Sequence, residues 1–213
     1  MDFIAANIQK YADGHTSEES QLLKSIERDT NLNVLLPRML SGQAQGRILS
    51  MFSHMIRPNC ILEIGTYTGY SALCMAEGLP DNGKIITIDI NEELESRTQG
   101  FFNQSEFADQ IDYRIGNAID VIPTLDETFD LIFIDADKYN YLNYFNLVID
   151  KVSKGGIIIA DNVLWSGKVA EPVEQGDKDT PGLIAFNKAI QNDVRVENVL
   201  FPLRDGLMVI RKL

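Results

Sequence analysis

Seven short apolar runs alternate with helix-like segments along most of the chain, and this alternation constrains the fold most strongly. Several runs are almost continuously apolar, as strands buried on both faces of a parallel sheet are. A turn over 202–206 joins the last two runs, which predicts an antiparallel hairpin at one edge. The sequence therefore predicts an α/β fold, a doubly wound and mostly parallel seven-stranded sheet with helices on both faces. The predicted strands are 60–64, 84–88, 110–115, 131–134, 156–160, 195–201 and 207–211.

The first 58 residues lack strand signals and are predicted to form a helical cap within a single domain spanning 1–213. Thr16 and Glu19 have the spacing of a capping box and predict a helix from that point to about residue 28. A second helix is predicted over 43–55, where apolar residues recur at the spacing of one helix face. A further helix is predicted over 182–192.

Composition limits the class of partner. The net charge of −12 argues against binding nucleic acid through a broad basic face, although a local basic site is still allowed. Cys60 and Cys74 lack metal-site spacing and are predicted to be buried thiols. No apolar stretch is long enough to span a membrane, and the N-terminus has no basic segment before an apolar run, so a cytoplasmic protein is expected.

The first predicted strand runs into a glycine turn, which places a ligand site at its carboxyl end. Gly65 and Gly69 lie where the chain must reverse direction before a helix. Tyr70 and Ser71 follow Gly69 where a P-loop requires lysine and Ser/Thr, and the third glycine of a dinucleotide fingerprint is missing. The turn therefore favours a nucleoside ligand without phosphates and disfavours an NAD-dependent dehydrogenase.

Asp89 ends the second predicted strand, 24 residues after Gly65. An acid at this point can accept both hydroxyls of a ribose, and NAD enzymes use the same device. The alternative role for Asp89 is a helix N-cap.

Acidic and amide side chains end two further strands. Asp135 closes the fourth strand, and Asp161 and Asn162 close the fifth. Carboxylates at the ends of buried strands are costly to desolvate unless they are paired or bind a cation. If these strands flank the first one, the three side chains converge beside the nucleoside, and their oxygens favour Mg²⁺, Mn²⁺ or Ca²⁺ over Zn²⁺. The alternative is helix capping with a salt bridge to Lys138.

Lys138 follows Asp135 by three residues and is placed to face the same site as a general base, the alternative being a solvated surface lysine. Trp165, in a long aperiodic stretch over 162–181, is either a core anchor or an aromatic wall for a substrate. His15 and His54 have no partners in the sequence and are predicted to be structural or exposed.

Three motifs occur in the order found in a known family. They are Glu63-Ile-Gly-Thr-Tyr-Thr-Gly-Tyr-Ser71, Asp135-Ala-Asp-Lys138 and Asp161-Asn162-x-x-Trp165. From about residue 39 to 213 the chain resembles a bacterial member of the cation-dependent O-methyltransferases of the caffeoyl-CoA and catechol type. The resemblance implies that S-adenosylmethionine contacts Ser41, Glu63, Gly65, Thr66, Ser71, Asp89, Ala118 and Asp135. It also implies metal ligands Asp135, Asp161 and Asn162, catalytic roles for Lys138 and Asp135, and a homodimer.

The expected reaction is methyl transfer from S-adenosylmethionine to a hydroxyl of a catechol-like or hydroxycinnamoyl-type small molecule, assisted by Mg²⁺, Mn²⁺ or Ca²⁺. Ser166 stands where plant enzymes tend to carry an asparagine, and the cap shows no concentrated basic patch for a CoA phosphate. Both features weaken the case for an acyl-CoA ester. Two alternatives stay open: methylation of hydroxyuridine in tRNA, and a non-catalytic cofactor-binding module.

Overall fold

A computed structural model describes residues 4–213; residues 1–3, the start of the predicted cap, lie outside the described residues. The helices are α1 Ala6–Asp13, α2 Gln21–Asn33, α3 Gly42–Ile56, α4 Tyr70–Ala76, α5 Glu95–Phe102, α6 Ala118–Val121, α7 Tyr141–Val148 and α8 Asp179–Asn192. The strands are β1 Cys60–Ile64, β2 Lys84–Asp89, β3 Ile111–Ile115, β4 Phe129–Ile134, β5 Val152–Asp161, β6 Val196–Phe201 and β7 Leu207–Lys212.

The strands form one seven-stranded sheet in the order β3-β2-β1-β4-β5-β7-β6. The first five strands pair in parallel, whereas β7 runs antiparallel to both β5 and β6. The predicted fold class, including the antiparallel pair at one edge, is confirmed. β7 lies between β5 and β6, so the edge strand is β6.

Alternate residues of each buried strand face opposite sides of the sheet and enter two separate cores. Leu62 and Ile64 of β1 pack on the side that α7 and α8 cover. Ile61 packs on the other side, together with Leu23 of α2 and Leu49 of α3. Two helices of the predicted cap, α2 and α3, therefore share a core with the sheet, whereas α1 buries none of its residues.

The order of the strands reverses next to β1, because β2 follows on one side and β4 on the other. In doubly wound sheets this switch point opens a crevice beyond the carboxyl ends of the strands, where ligands bind. Ile64 pairs with Ile88 of β2 and with Ile134 of β4, so the next residues of all three strands enter this crevice together.

All seven predicted strands are present, within a few residues of the expected bounds. The predicted capping box is wrong. Thr16 donates its hydroxyl to the carbonyl of Ala12 at the end of α1, and α2 begins five residues later at Gln21. The N-cap is Ser20, whose hydroxyl oxygen accepts from the backbone N–H of Leu23 at 3.3 Å.

Both cysteines are buried free thiols, as predicted. Among residues 4–213, no helix combines the length and the apolar character that crossing a membrane requires.

Candidate active site

A cavity of about 2200 Å³ opens beyond the carboxyl ends of β1, β2, β4 and β5. Nearly every residue proposed for the site from the sequence lines it. Those residues are Ser41, Gly65, Thr66, Ser71, Asp89, Ala118, Asp135, Lys138, Asp161, Asn162 and Trp165. Glu63 is the predicted site residue that does not line the cavity.

The glycine turn forms one wall of the cavity. Gly65 has φ +104° and Gly69 has φ +83°, a region that favours glycine because other side chains clash with the backbone there. A Cβ on Gly69 would lie 2.5 Å from the ring of Phe102, so the turn packs tightly against α5. Below it, the hydroxyl oxygens of Thr66 and Thr87 lie 2.6 Å apart and tie the turn to β2.

Asp89 braces the same turn from the end of β2. One carboxylate oxygen accepts from the backbone N–H of Tyr67 at 2.6 Å, and the other accepts from that of Asn91 at 2.8 Å. The alternative role for Asp89, a helix N-cap, is wrong, because the 3₁₀ helix that follows, Glu92–Leu94, is capped by Asn91. Each carboxylate oxygen can accept more than one hydrogen bond, so the side chain can still receive hydroxyl donors from the cavity.

Glu63 lies behind the cavity wall and is fully buried. The Thr87 hydroxyl donates to Oε2 of Glu63 at 2.5 Å, and Oε1 has no hydrogen-bond partner among the described residues. Burial raises the pKa of Glu63 to about 8, against the lowering effect of the Ser71 and Thr87 hydroxyls. The proposed contact between Glu63 and a cofactor stays a prediction.

Asp135, Asp161 and Asn162 lie at the ends of β4 and β5 and line the same cavity. Because Ile134 pairs with Ala160, Asp135 and Asp161 leave neighbouring strands side by side. The convergence comes from this β4–β5 pairing; β5 does not flank β1, which corrects the expected arrangement. Asp161 is almost completely buried, and burial, followed by the charge of Asp135, raises its pKa to about 6.

Lys138 reaches into this acidic cluster from the first turn after β4, with only 7% of the residue exposed. Its Nζ donates to Oδ1 of Asp135 and to the hydroxyl oxygen of Tyr141, each at 2.7 Å. The Tyr141 hydroxyl in turn donates to the backbone carbonyl of Asp161 at 2.9 Å. Lys138 is therefore a buried amine at the cavity whose position is fixed by two hydrogen bonds, and it is not a solvated surface lysine.

Trp165 follows this cluster in the loop after β5. Its ring centre lies 5.9 Å from Nζ of Lys138, and it lines the cavity. Trp165 and Ser166 both have positive φ, at 48° and 54°. The backbone N–H of Ser166 donates to Oδ1 of Asp205 at 2.5 Å, which holds this strained loop against the turn between β6 and β7.

The donor set fits a hard divalent cation. It offers two carboxylates and one amide, all oxygen donors, which suit Mg²⁺, Mn²⁺ or Ca²⁺. The nearest cationic side chain, Lys138, balances only one of two adjacent carboxylates. Within residues 4–213 no group of three or more His, Cys, Asp or Glu side chains is arranged around a metal position, so the set depends on the amide of Asn162.

Three residues at the site were not identified from the sequence. Tyr141 holds Lys138, Gln45 donates to Oδ2 of Asp161 at 2.6 Å, and Arg204 donates to Oε1 of Gln45 at 2.6 Å. Tyr141 lies three residues after Lys138, a helical spacing that could have suggested contact. No local signal relates Gln45 to a residue 116 positions away.

Known proteins resemble this chain over most of its length. The model of the family described as O-methyltransferase matches residues 13–213. A caffeoyl-CoA O-methyltransferase of Petroselinum crispum is 37% identical over 186 residues, covering 82% of this chain and 77% of that enzyme. One from Mesembryanthemum crystallinum is 39% identical over 186 residues, covering 82% and 73%.

Solved structures agree in fold. A methyltransferase from Podospora anserina, solved with SAH bound, has a TM-score of 0.90 and 27% identity, covering 97% of this chain and 94% of that one. The O-methyltransferase of Bacillus cereus in complex with SAH also has a TM-score of 0.90, with 26% identity and 97% coverage of both chains. The predicted family is confirmed, and the chain therefore belongs to the O-methyltransferase family, whose members depend on S-adenosylmethionine.

Proposed function

We propose that this enzyme transfers a methyl group from S-adenosylmethionine to one of two adjacent oxygens of a catechol-like or hydroxycinnamoyl-type small molecule, with a divalent cation at Asp135, Asp161 and Asn162. The observation that carries the proposal is the cluster at the ends of β4 and β5. It combines two adjacent carboxylates with a buried amine held 2.7 Å from one of them.

The glycine turn supports the assignment of the methyl donor. Ser41, Thr66 and Ser71 border the cavity with polar side chains beside the turn, and Asp89 accepts ribose hydroxyls in this proposal. Ala118, at the start of α6, provides a small apolar surface suited to the face of a base. Structures of a related methyltransferase and an O-methyltransferase with bound SAH support this choice of ligand.

The cation would be held by Asp135, Asp161 and Asn162. When bound, it would supply Lewis-acid polarisation of a substrate hydroxyl and a template that orients two oxygens. Asp135 would then both bind the cation and accept a hydrogen bond from Lys138. Asn162 has φ +59°, a left-handed conformation that asparagine tolerates better than most residues and that turns the chain sharply after Asp161.

Lys138 is the proposed general base. Its Nζ lies at the cavity between Asp135 and Tyr141, and these two partners fix its direction. In the proposed reaction Nζ of Lys138 accepts the proton of the substrate hydroxyl. Trp165, beside Lys138, excludes water from one side of the site and offers its face to an aromatic ring.

The charge of the cavity favours a small substrate over a polyanionic one. Among the described residues that line it, acidic side chains outnumber basic ones. Two of the basic ones, Lys138 and Arg97, are already paired with Asp135 and Asp29. A CoA phosphate or a tRNA backbone would meet more negative than positive side chains there, so a simple catechol is the better first substrate to test.

The proposal is tested with Asp161→Ala. We expect the variant to lose Mn²⁺ binding, measured by electron paramagnetic resonance, and catechol methylation. Its affinity for S-adenosylhomocysteine, measured by calorimetry, should stay close to that of the wild type. Asp126→Ala, at an exposed carboxylate, is the control. Normal methylation by Asp161→Ala would contradict the metal assignment.

A further inference from the structure

The carboxylate of Asp161 is held in one orientation by two different donors. Oδ1 accepts from the backbone N–H of Asn162 at 2.8 Å, and Oδ2 accepts from Nε2 of Gln45 at 2.6 Å. Only 3% of Asp161 is exposed, so no bulk water can replace a lost donor without rearrangement. Gln45 is therefore the side chain that decides which way Oδ2 points.

Gln45 comes from α3, far from Asp161 in sequence, and is itself buried at 1% exposure. Its carbonyl oxygen Oε1 accepts from Nη1 of Arg204 at 2.6 Å. A guanidinium can only donate and a carboxylate can only accept, so the two partners determine which end of the amide faces each of them. A side chain with a donor at one end and an acceptor at the other is required at this position.

Arg204, in the turn between β6 and β7, begins a chain of hydrogen bonds that runs through Gln45 to Asp161, called here the Arg204–Gln45–Asp161 relay. It also donates to the backbone carbonyl of Ser41, the residue that precedes α3. Among the described residues, Arg204 has no carboxylate within salt-bridge distance, which leaves its charge to polarise the amide of Gln45. Three separate elements thus join at Asp161.

We propose that Gln45 is a positioning residue that orients the carboxylate of Asp161 toward the cation, and that Arg204 acts through Gln45. This inference rests on the proposed metal site and adds to it the residues that organise that site. Residues behind metal ligands commonly set metal affinity, and their loss typically weakens it about 10- to 100-fold.

Gln45→Met tests the proposal, because methionine nearly matches glutamine in size and removes both hydrogen bonds. We expect the Kd for Mn²⁺, measured by electron paramagnetic resonance with saturating S-adenosylhomocysteine, to rise about 10-fold or more. The Kd for S-adenosylhomocysteine, measured by calorimetry, should stay within about twofold. Gln43→Met is the matched control, since Gln43 lies on the same helix and donates to the carbonyl of Ser17 instead.

The relay is tested with a double-mutant cycle. Arg204→Met should weaken Mn²⁺ binding in the wild type and have no effect beyond about twofold in the Gln45→Met background. Arg204 is exposed, so its variant is informative even if Gln45→Met fails to fold. Wild-type Mn²⁺ affinity in a folded Gln45→Met, or in Arg204→Met, would overturn the proposal, as would equal effects of Arg204→Met in both backgrounds.

Failure of the metal site itself gives a different result. If Asp161→Ala binds Mn²⁺ like the wild type, the proposed metal site is wrong, and the positioning role of Gln45 is refuted with it. If Asp161→Ala loses Mn²⁺ and Gln45→Met keeps it, the metal centre stands and the positioning role of Gln45 is refuted.

Discussion

Gly65 lies directly against the backbone of Asp135. A Cβ built on Gly65 would sit 2.1 Å from the carbonyl oxygen of Asp135, well inside any permitted contact. The backbone N–H of Asp135 donates to the carbonyl of Ile64 at 2.9 Å, on the same side. The turn proposed to hold the methyl donor and the strand end proposed to hold the cation are therefore in contact through their backbones.

Replacing Gly65 with alanine should damage folding and cofactor binding together. The new methyl group meets a backbone carbonyl that cannot swing away, and φ +104° strains any other residue. We expect a loss of about 3 kcal/mol or more in the free energy of unfolding, measured by urea denaturation. Gly176 has φ +89° and open space around it, so Gly176→Ala measures the cost of the backbone conformation without a steric clash. We expect it to lower the free energy of unfolding by about 1 kcal/mol. Equal losses in the two variants would contradict the contact.

Replacing Lys138 with methionine should lower kcat for catechol methylation by about 10²- to 10⁴-fold, the usual contribution of a general base. Tyr141→Phe removes only the hydroxyl that accepts from Nζ, and should lower kcat less with little change in the Kd for S-adenosylhomocysteine. Lys154→Met, at an exposed lysine, is the control. A Lys138→Met enzyme with normal kcat would rule out the base assignment.

Replacing Asp89 with alanine should weaken S-adenosylhomocysteine binding. It removes the carboxylate proposed to accept from ribose hydroxyls, and it leaves the backbone N–H of Tyr67 without the acceptor that Asp89 provides at 2.6 Å. Hydrogen bonds to charged groups contribute about 1.5–3 kcal/mol, so calorimetry should show a Kd raised at least about 10-fold. The exposed Asp120 provides a control variant, Asp120→Ala. Unchanged affinity in Asp89→Ala would refute the ribose contact.

The raised pKa of Glu63 predicts that the free energy of unfolding depends on pH. Burial raises its folded-state pKa from an ordinary 4.5 to about 8, so the folded protein holds a proton that the unfolded chain releases. Its contribution to stability is complete below pH 4.5 and is lost as the pH rises through about 8. Glu63→Gln mimics the protonated form, so its advantage over the wild type in urea unfolding should grow across this interval.

The control for that comparison is Glu106→Gln at an exposed glutamate, which should follow the wild type at every pH. If the difference in stability between Glu63→Gln and the wild type stays constant from pH 5 to pH 8, Glu63 is ionised in the folded protein as it is in the unfolded chain, contrary to the raised pKa.

Local patterns were sufficient to predict the sheet and to place most of the proposed site residues at one edge of it. Buried parallel strands are continuously apolar, so β1 was predicted at Cys60–Ile64, as observed. Asp89, Asp135 and Asp161 each end or directly follow such a strand, and the carboxyl ends of parallel strands share one edge.

The homodimer implied by the family resemblance stays a prediction, which light scattering would test.

Long-range side-chain contacts could not be predicted from local patterns. Gln45 and Asp161 meet only because α3 packs beside the end of β5, and periodicity does not specify which polar residue of a helix turns inward. The family resemblance implies a cofactor contact for Glu63, and no local pattern indicates that its side chain accepts from Thr87 behind the cavity wall. The N-cap of α2 is Ser20 and not Thr16, because the Thr16 hydroxyl donates to the carbonyl of Ala12 in α1.

The central claim is that Asp135, Asp161 and Asn162 hold a cation needed for methyl transfer to paired oxygens. The most direct measurement is methyl transfer to a catechol and to a matched monophenol, before and after removal of metal with EDTA. We expect catechol methylation to stop in EDTA, to return with Mg²⁺ or Mn²⁺, and to exceed monophenol methylation by about 10²-fold or more, because one hydroxyl cannot exploit the template. Full activity on catechol in excess EDTA would contradict the account.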